Sequence, residues 1–309
     1  MDLLTWLYSY FLWAFENTYT KEIAQTFYDF LLQLTPFVLA GIILATALTL
    51  YFPVQKIAES IDGRGLPAVI TAAFLGSLSP VGTYVLIPLI GSLLRTDKFP
   101  LPPLMAFMIA SPLINPLLFL LTLGAFGPGM AMMRFMAALV LGIIGGLIAV
   151  KLWKPGHEMA EGGQSEKAAG AALKKVSIQM FRHEFFKQAG FILKIFLFSV
   201  FIASVISELV PPNLVATVVG GNAYFSVLMS VAAGVPLYSC GGGNIPVMEA
   251  LHELGMNKGA ILAFFISGPA TKVSTLAALL ACMKRPVFVL YLSTTIGGAF
   301  VFGVLYDLL

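Results

Sequence analysis

Eight long apolar runs, broken in four places by proline and glycine, constrain this chain more than any other feature. They lie at about 30–52, 67–94, 101–124 and 129–150, then at 188–209, 224–254, 259–281 and 286–306. Each is long enough to cross roughly 30 Å of hydrocarbon, which takes about 20 helical residues. Barrel strands would alternate apolar and polar residues, whereas these runs are continuously apolar. Only 11% of the 309 residues are charged and 59% are hydrophobic, where a soluble domain is about a quarter charged. A soluble core of this size would lack a polar surface to cover it. The pattern predicts an all-α polytopic membrane protein. It excludes a soluble enzyme, a disordered chain and a disulfide-stapled secreted domain.

Charge is concentrated in one place. Lys151, Lys154, Glu158, Glu161, Glu166, Lys167, Lys174, Lys175, Arg182, Glu184 and Lys187 fall in a glycine-rich stretch that cuts the chain almost in half. The sequence therefore divides into an interfacial aromatic helix (1–29), a first membrane unit (30–150), a polar linker (151–187) and a second membrane unit (188–309). Most of the linker charges are Lys or Arg, which places the linker in the cytoplasm. Its basic residues alternate with acids, so no nucleic-acid partner is expected. The opening Met1-Asp2-Leu3-Leu4-Thr5-Trp6 lacks the basic region of a cleaved signal peptide.

The two membrane units resemble each other. Gly76 precedes Ile87-Pro88 at the spacing by which Gly234 precedes Ile245-Pro246. The stretch Ala106 to Ser111-Pro112 matches Ala263 to Gly268-Pro269, and Ile144-Gly145-Gly146 matches Ile296-Gly297-Gly298. Their shared order predicts an internal duplication of about four segments per half. Eight crossings would make the repeats parallel and put Lys284-Arg285 opposite the linker, against the positive-inside rule. Re-entrant hairpins at 67–94 and 224–254 would change the count and invert the repeat.

The breaks are Ser79-Pro80-Val81-Gly82, Ser111-Pro112, Pro236 with Gly241-Gly242-Gly243, and Gly268-Pro269. Broken backbone in hydrocarbon frees N–H and C=O groups, which is tolerated only against protein or a water-filled cavity. Paired breaks in two halves point to a transporter's solute site, although proline and glycine also kink helices for packing. Pro80, Gly82, Pro112, Gly241, Gly242, Gly243 and Pro269 are the expected hinges, and Ser79, Thr83, Asn115, Ser239, Cys240, Asn244 and Lys272 the expected solute contacts. Asn115 and Lys272 hold the same repeat position. Lys272 is too deep for simple snorkelling, so it either serves a solute or a coupling proton or bonds carbonyls freed at the break. Arg134 and Lys194 read as snorkelling side chains. Glu249, His252 and Glu253 read as a solvated helix end, with a transient cation site as the alternative. Cys240 is either a contact for a thiophilic solute or a small apolar filler.

Histidine, cysteine and carboxylate groups are too sparse in the spans for a metal pump, and no metal site is expected. The spans lack the paired aspartates or Ser–His pair of an intramembrane protease, and no Walker A motif occurs. The sequence calls for no catalytic residue and no cofactor. Its expected partners are a small-molecule or ion solute and the lipid bilayer, and a homo-oligomer is compatible with the pattern.

The stretch Gly234-Val235-Pro236-Leu237-Tyr238-Ser239-Cys240-Gly241-Gly242-Gly243-Asn244-Ile245-Pro246, with Ala263 to Pro269 and the counterparts Gly76 to Pro88 and Ala106 to Pro116, resembles the ArsP-like permeases. The resemblance covers about 30–306. It implies a bacterial inner-membrane efflux permease for a metalloid or organo-metalloid such as methylarsenite, with Cys240 as the soft-solute contact. Tyr238 stands where that family's pattern has its first cysteine, and the first repeat carries neither cysteine. A permease for a small anion or sulfur compound centred on Lys272 is the transport alternative. A non-transporting scaffold acting through 151–187 is the other.

Overall fold

The computed structural model describes residues 19–51, 65–79, 101–152, 178–237, 242–282 and 285–308. Among them the secondary structure is helical throughout: α1 (Tyr19–Tyr51), α2 (Leu66–Leu78), α3 (Leu101–Leu113), α4 (Pro116–Leu152), α5 (Ile178–Leu209), α6 (Pro212–Val219), α7 (Ala223–Leu237), α8 (Asn244–Glu253), α9 (Lys258–Thr271), α10 (Val273–Cys282) and α11 (Arg285–Leu308). Four helices, α1, α4, α5 and α11, are long and apolar enough to cross a membrane, or five if α6 and α7, bent by 99°, form one span. Within their most apolar windows only 33–39% of residues are buried in the protein. Leu32 and Ile43 on α1, Phe198 and Phe201 on α5, and Val301 on α11 face outward, which suits lipid rather than water.

The expected runs 67–94, 101–124, 224–254 and 259–281 therefore do not appear as continuous spans. Apart from 116–124, which opens the longer α4, their described parts form helices of 10 to 15 residues, about 15–22 Å long. The physical reason is the interruption itself. The residue before a proline is pushed out of the helical region, and Asn115-Pro116 ends α3 and starts α4.

Helix α4 also turns back on itself. Gly127 has φ 78 and ψ −179, outside helical space, and Pro128 follows. In a straight helix Phe119 and Phe135 would stand about 24 Å apart, yet their ring centroids are 6.2 Å apart. The α4 arms before and after Gly127 thus form a hairpin.

Two three-helix groups make the core: α2, α3 and α4, and α7, α9 and α11 pack mutually. Between the groups, α1 lies against α5 with Thr26 bonded to Glu208 and Thr46 to Gln188. The first helices of the two halves are therefore antiparallel. Their last helices are antiparallel too, because Gly129 lies near Tyr306, Gly145 near Thr294 and Leu141 near Gly298. This geometry places exposed Arg285 at the same end as exposed Lys151, whereas eight parallel-repeat crossings put them at opposite ends.

Candidate functional site

The breaks are built from matching parts. Gly146 stands so close to its neighbours that a Cβ there would lie 2.6 Å from Val69 Cγ1, 2.9 Å from Pro102 O and 3.1 Å from Ala106 Cβ. A Cβ on Gly303 would lie 2.9 Å from Val227 Cγ1, 2.8 Å from Gly259 O and 2.9 Å from Ala263 Cβ. Gly76 packs on Phe107 and Ala110, as Gly234 packs on Ser267 and Gly268. In each half a glycine brings the last helix within backbone contact of the helix that breaks. By these contacts Gly146 resembles Gly303, whereas Gly298, its partner in the Ile-Gly-Gly triplets, packs on Leu141.

Helix α3 runs through Pro112 and ends at Leu113; α9 runs through Pro269 and ends at Thr271. Proline removes one helical hydrogen bond without ending the helix here, so the seams lie just beyond the prolines. At the first seam Asn115 Oδ1 accepts from Leu118 N–H at 2.8 Å, capping the start of α4. The backbone bond from Phe119 N–H to Asn115 O, 2.8 Å, is matched by Leu276 N–H to Lys272 O, 2.9 Å. Lys272, half-buried with φ −54 and ψ 131, occupies the second seam.

A long side chain from each last helix reaches back to the freed carbonyls. Arg134 Nε donates to Leu113 O at 3.2 Å and its NH1 to Thr122 Oγ1 at 2.8 Å. Tyr291 Oη donates to Ala270 O at 3.3 Å. Arg134 is only 1% exposed and Tyr291 0%, so the expected snorkelling of Arg134 is corrected. Its guanidinium is held by the broken backbone and lies 4.4 Å from the Phe265 ring centroid in the other half, a favourable cation–π geometry. Lys194 is exposed on α5. Arg134 stands 17 residues from the nearer charge, Lys151 on the C-terminal side, inside an apolar run, which is the signal in the sequence that could have marked it as buried.

Four of the seven expected solute contacts can be placed. Ser79 ends α2 and is buried, Asn115 caps α4, Asn244 opens α8 and is buried, and Lys272 lies at the second seam. Thr83, Ser239 and Cys240 lie outside the described residues, as do the hinges Pro80, Gly82 and Gly241. Gly242 adopts φ +82, and a Cβ there would meet Leu121 Cδ1 at 2.6 Å. The second-half glycine loop therefore presses on the first arm of α4. The hydroxyls of Ser111 and Ser267 at the two breaks are buried without a partner among the described residues.

The expected solvated end of α8 holds at Glu253 and is corrected at Glu249. Glu249 is 4% exposed. Its Oε1 accepts from Gln33 Nε2 at 2.6 Å, and the same amide nitrogen donates to Gly124 O at 3.3 Å. His252 Nδ1 lies 2.9 Å from Met256 O, and Glu253 is exposed. No group of three His, Cys, Asp or Glu able to hold a metal occurs among the described residues.

Residues 20–308 match the ArsP_1 family, described as "Predicted permease". The chain is 25% identical to the UPF0718 protein YcgR of Bacillus subtilis (strain 168) over 275 residues, 85% of this chain and 90% of that one. It is 26% identical to the UPF0718 protein MJ0584 of Methanocaldococcus jannaschii over 123 residues, 40% of this chain and 34% of that one. No solved structure matches.

Proposed function

The chain belongs to the ArsP_1 family of predicted permeases, and on that premise we propose that it is a secondary transporter working by ion- or proton-coupled alternating access. Its cargo in this reading is a metalloid or organo-metalloid such as a trivalent arsenical, exported across a bacterial inner membrane. The repeats are inverted, as the antiparallel pairs α1–α5 and α4–α11 favour. The basic ends at Lys151 and Arg285 then share the cytoplasmic side.

One observation carries this reading: two broken helices, each held by a glycine contact and by a side chain bonded to the freed carbonyls. Inverted repeats with broken helices are the arrangement in which one half rocks against the other around a central site. The solute site lies along the seams, with Ser79, Thr83, Ser239, Cys240, Asn244 and Lys272 as contacts and Asn115 positioning α4. Cys240 supplies the soft ligand.

The half-buried Lys272 at the second seam favours one rival, a small-anion or sulfur-compound permease. Uptake into everted membrane vesicles, comparing methylarsenite with sulfite, separates the two. Methylarsenite accumulation lost in Cys240→Ser supports the exporter. Sulfite accumulation lost in Lys272→Ala and indifferent to Cys240→Ser replaces it with the rival.

A further inference from the structure

Glu249 is a buried carboxyl that the breaks do not use. One oxygen accepts from Gln33, and the other, Oε2, has no hydrogen-bond partner among the described residues. Gln33 is exposed on α1, one turn from the exposed Asp29, whereas Glu249 is only 4% exposed, so the pair joins the buried carboxyl to the polar end of α1. It touches three elements that must move relative to one another in a rocking transporter. Glu249 is on α8, Gln33 on α1, and Gly124, which also accepts from Gln33, lies one turn before the α4 reversal at Gly127.

A buried carboxylate without a compensating cation is costly, and in a membrane such a group is a functional candidate by default. The charged and titratable groups of the elements packed on α8 do not compensate it. On α8 itself are His252, engaged at Met256 O, and Glu253. Helix α1 brings Asp29, exposed one turn from Gln33, and α5 brings Glu208, bonded to Thr26, and the exposed Lys194. Helix α4 brings Arg134, bonded to Leu113 and Thr122, and α9 brings the exposed Lys258. Among the described residues no ion pair reaches Glu249; the one that occurs joins Lys187 and Glu184. A hard metal cation would need several further oxygen ligands, whereas Gln33 presents its amide N–H to the site. The chemistry left for the open oxygen is a proton.

We propose that Glu249 is the coupling-proton carrier of this transporter, taking up and releasing H⁺ at Oε2 while Gln33 holds Oε1 and senses the α4 hairpin through Gly124 O. The inference rests on the transporter reading above and deepens it.

The test uses the full-length protein in liposomes with methylarsenite as probe, beside infrared difference spectroscopy of the same samples. The wild type is expected to show a protonated-carboxyl band that shifts in D₂O and is absent from Glu249→Gln, with Glu208→Gln keeping it. Glu249→Gln is expected to lose accumulation driven by a pH gradient while keeping gradient-free methylarsenite exchange; Glu249→Asp regains part of the driven accumulation. Driven accumulation that survives in Glu249→Gln overturns the proposal. So does equal loss of exchange in a variant that remains monodisperse. If the wild type moves no methylarsenite, the arsenical reading fails, and the pH dependence of the band decides for Glu249: a Glu249-dependent band lost reversibly on raising the pH upholds uptake and release of a proton there, and a band that persists in Glu249→Gln or does not respond to pH overturns it.

Discussion

The α2–α3–α4 group and the α7–α9–α11 group share their backbone contacts but close their breaks with different chemistry. In the first, Asn115 caps the restarted helix and Arg134 binds Leu113 O and Thr122. In the second, Lys272 stands where the cap would be, and Tyr291 reaches Ala270 O with a single hydroxyl. The glycine contacts set the fold of each half and are duplicated. The polar closures differ: the first seam has the Asn115 cap and two bonds from Arg134, the second a bond from Tyr291 beside Lys272. In the rocking mechanism proposed above one part is held and another rearranges, and this difference offers the first half for the first role and the second half for the second.

The largest expected effect comes from removing the closures. Arg134→Ala opens a cavity and strands a buried carbonyl and a hydroxyl, costing about 3–5 kcal/mol. Tyr291→Phe deletes one hydrogen bond and keeps the ring, costing about 1 kcal/mol. Thermal unfolding of the purified protein in one detergent measures both. Near-equal losses would break the asymmetry.

The glycine contacts are expected to behave alike. Gly146→Ala and Gly303→Ala each drive a methyl against a backbone carbonyl, Pro102 O and Gly259 O respectively, and overpacking of this kind costs about 1–3 kcal/mol. The same unfolding assay should give losses within about 0.5 kcal/mol of each other, the usual error of additivity. A much smaller loss at Gly303 would remove it as the counterpart of Gly146.

The apolar runs, the polar linker and the positions of the breaks are legible in the sequence because each is a local property of composition or of proline. The number of continuous spans is not. Whether Asn115-Pro116 kinks a span or divides it depends on what receives the freed carbonyls, and that partner, Arg134, lies at the far side of a hairpin. The hairpin itself turns on Gly127, one glycine among many in apolar sequence. The choice between parallel and inverted repeats stayed open for the same reason, since it hangs on the crossing count. Arg134 and Glu249 were both read as reaching water because a helix end and a near-terminal cation usually do. Their burial is decided by Leu113 and Gln33, distant in sequence. Asn115 Oδ1 accepts from Leu118 N–H, which leaves its amide N–H groups for the solute contact expected there. Among the expected contacts Lys272 has the strongest case, since it stands at the seam where Asn115 has a capping role.

That contrast gives the smallest and most discriminating effect. Lys272→Asn places at the start of α10 the capping residue that α4 already has, with Thr275 N–H in the position of Leu118 N–H. An N-cap asparagine in place of a non-capping residue is worth about 0.5–2 kcal/mol, and the gain should fall at the low end because the bond from Leu276 N–H to Lys272 O is already made. If lysine is there for packing, Lys272→Asn raises thermal stability and leaves transport unchanged. If it serves the solute or the motion of the second seam, stability still rises while transport falls. Unfolding and vesicle uptake on one variant thus separate the two halves by purpose. A fall in both would show that the second seam depends on the lysine for its structure, as the first depends on Arg134.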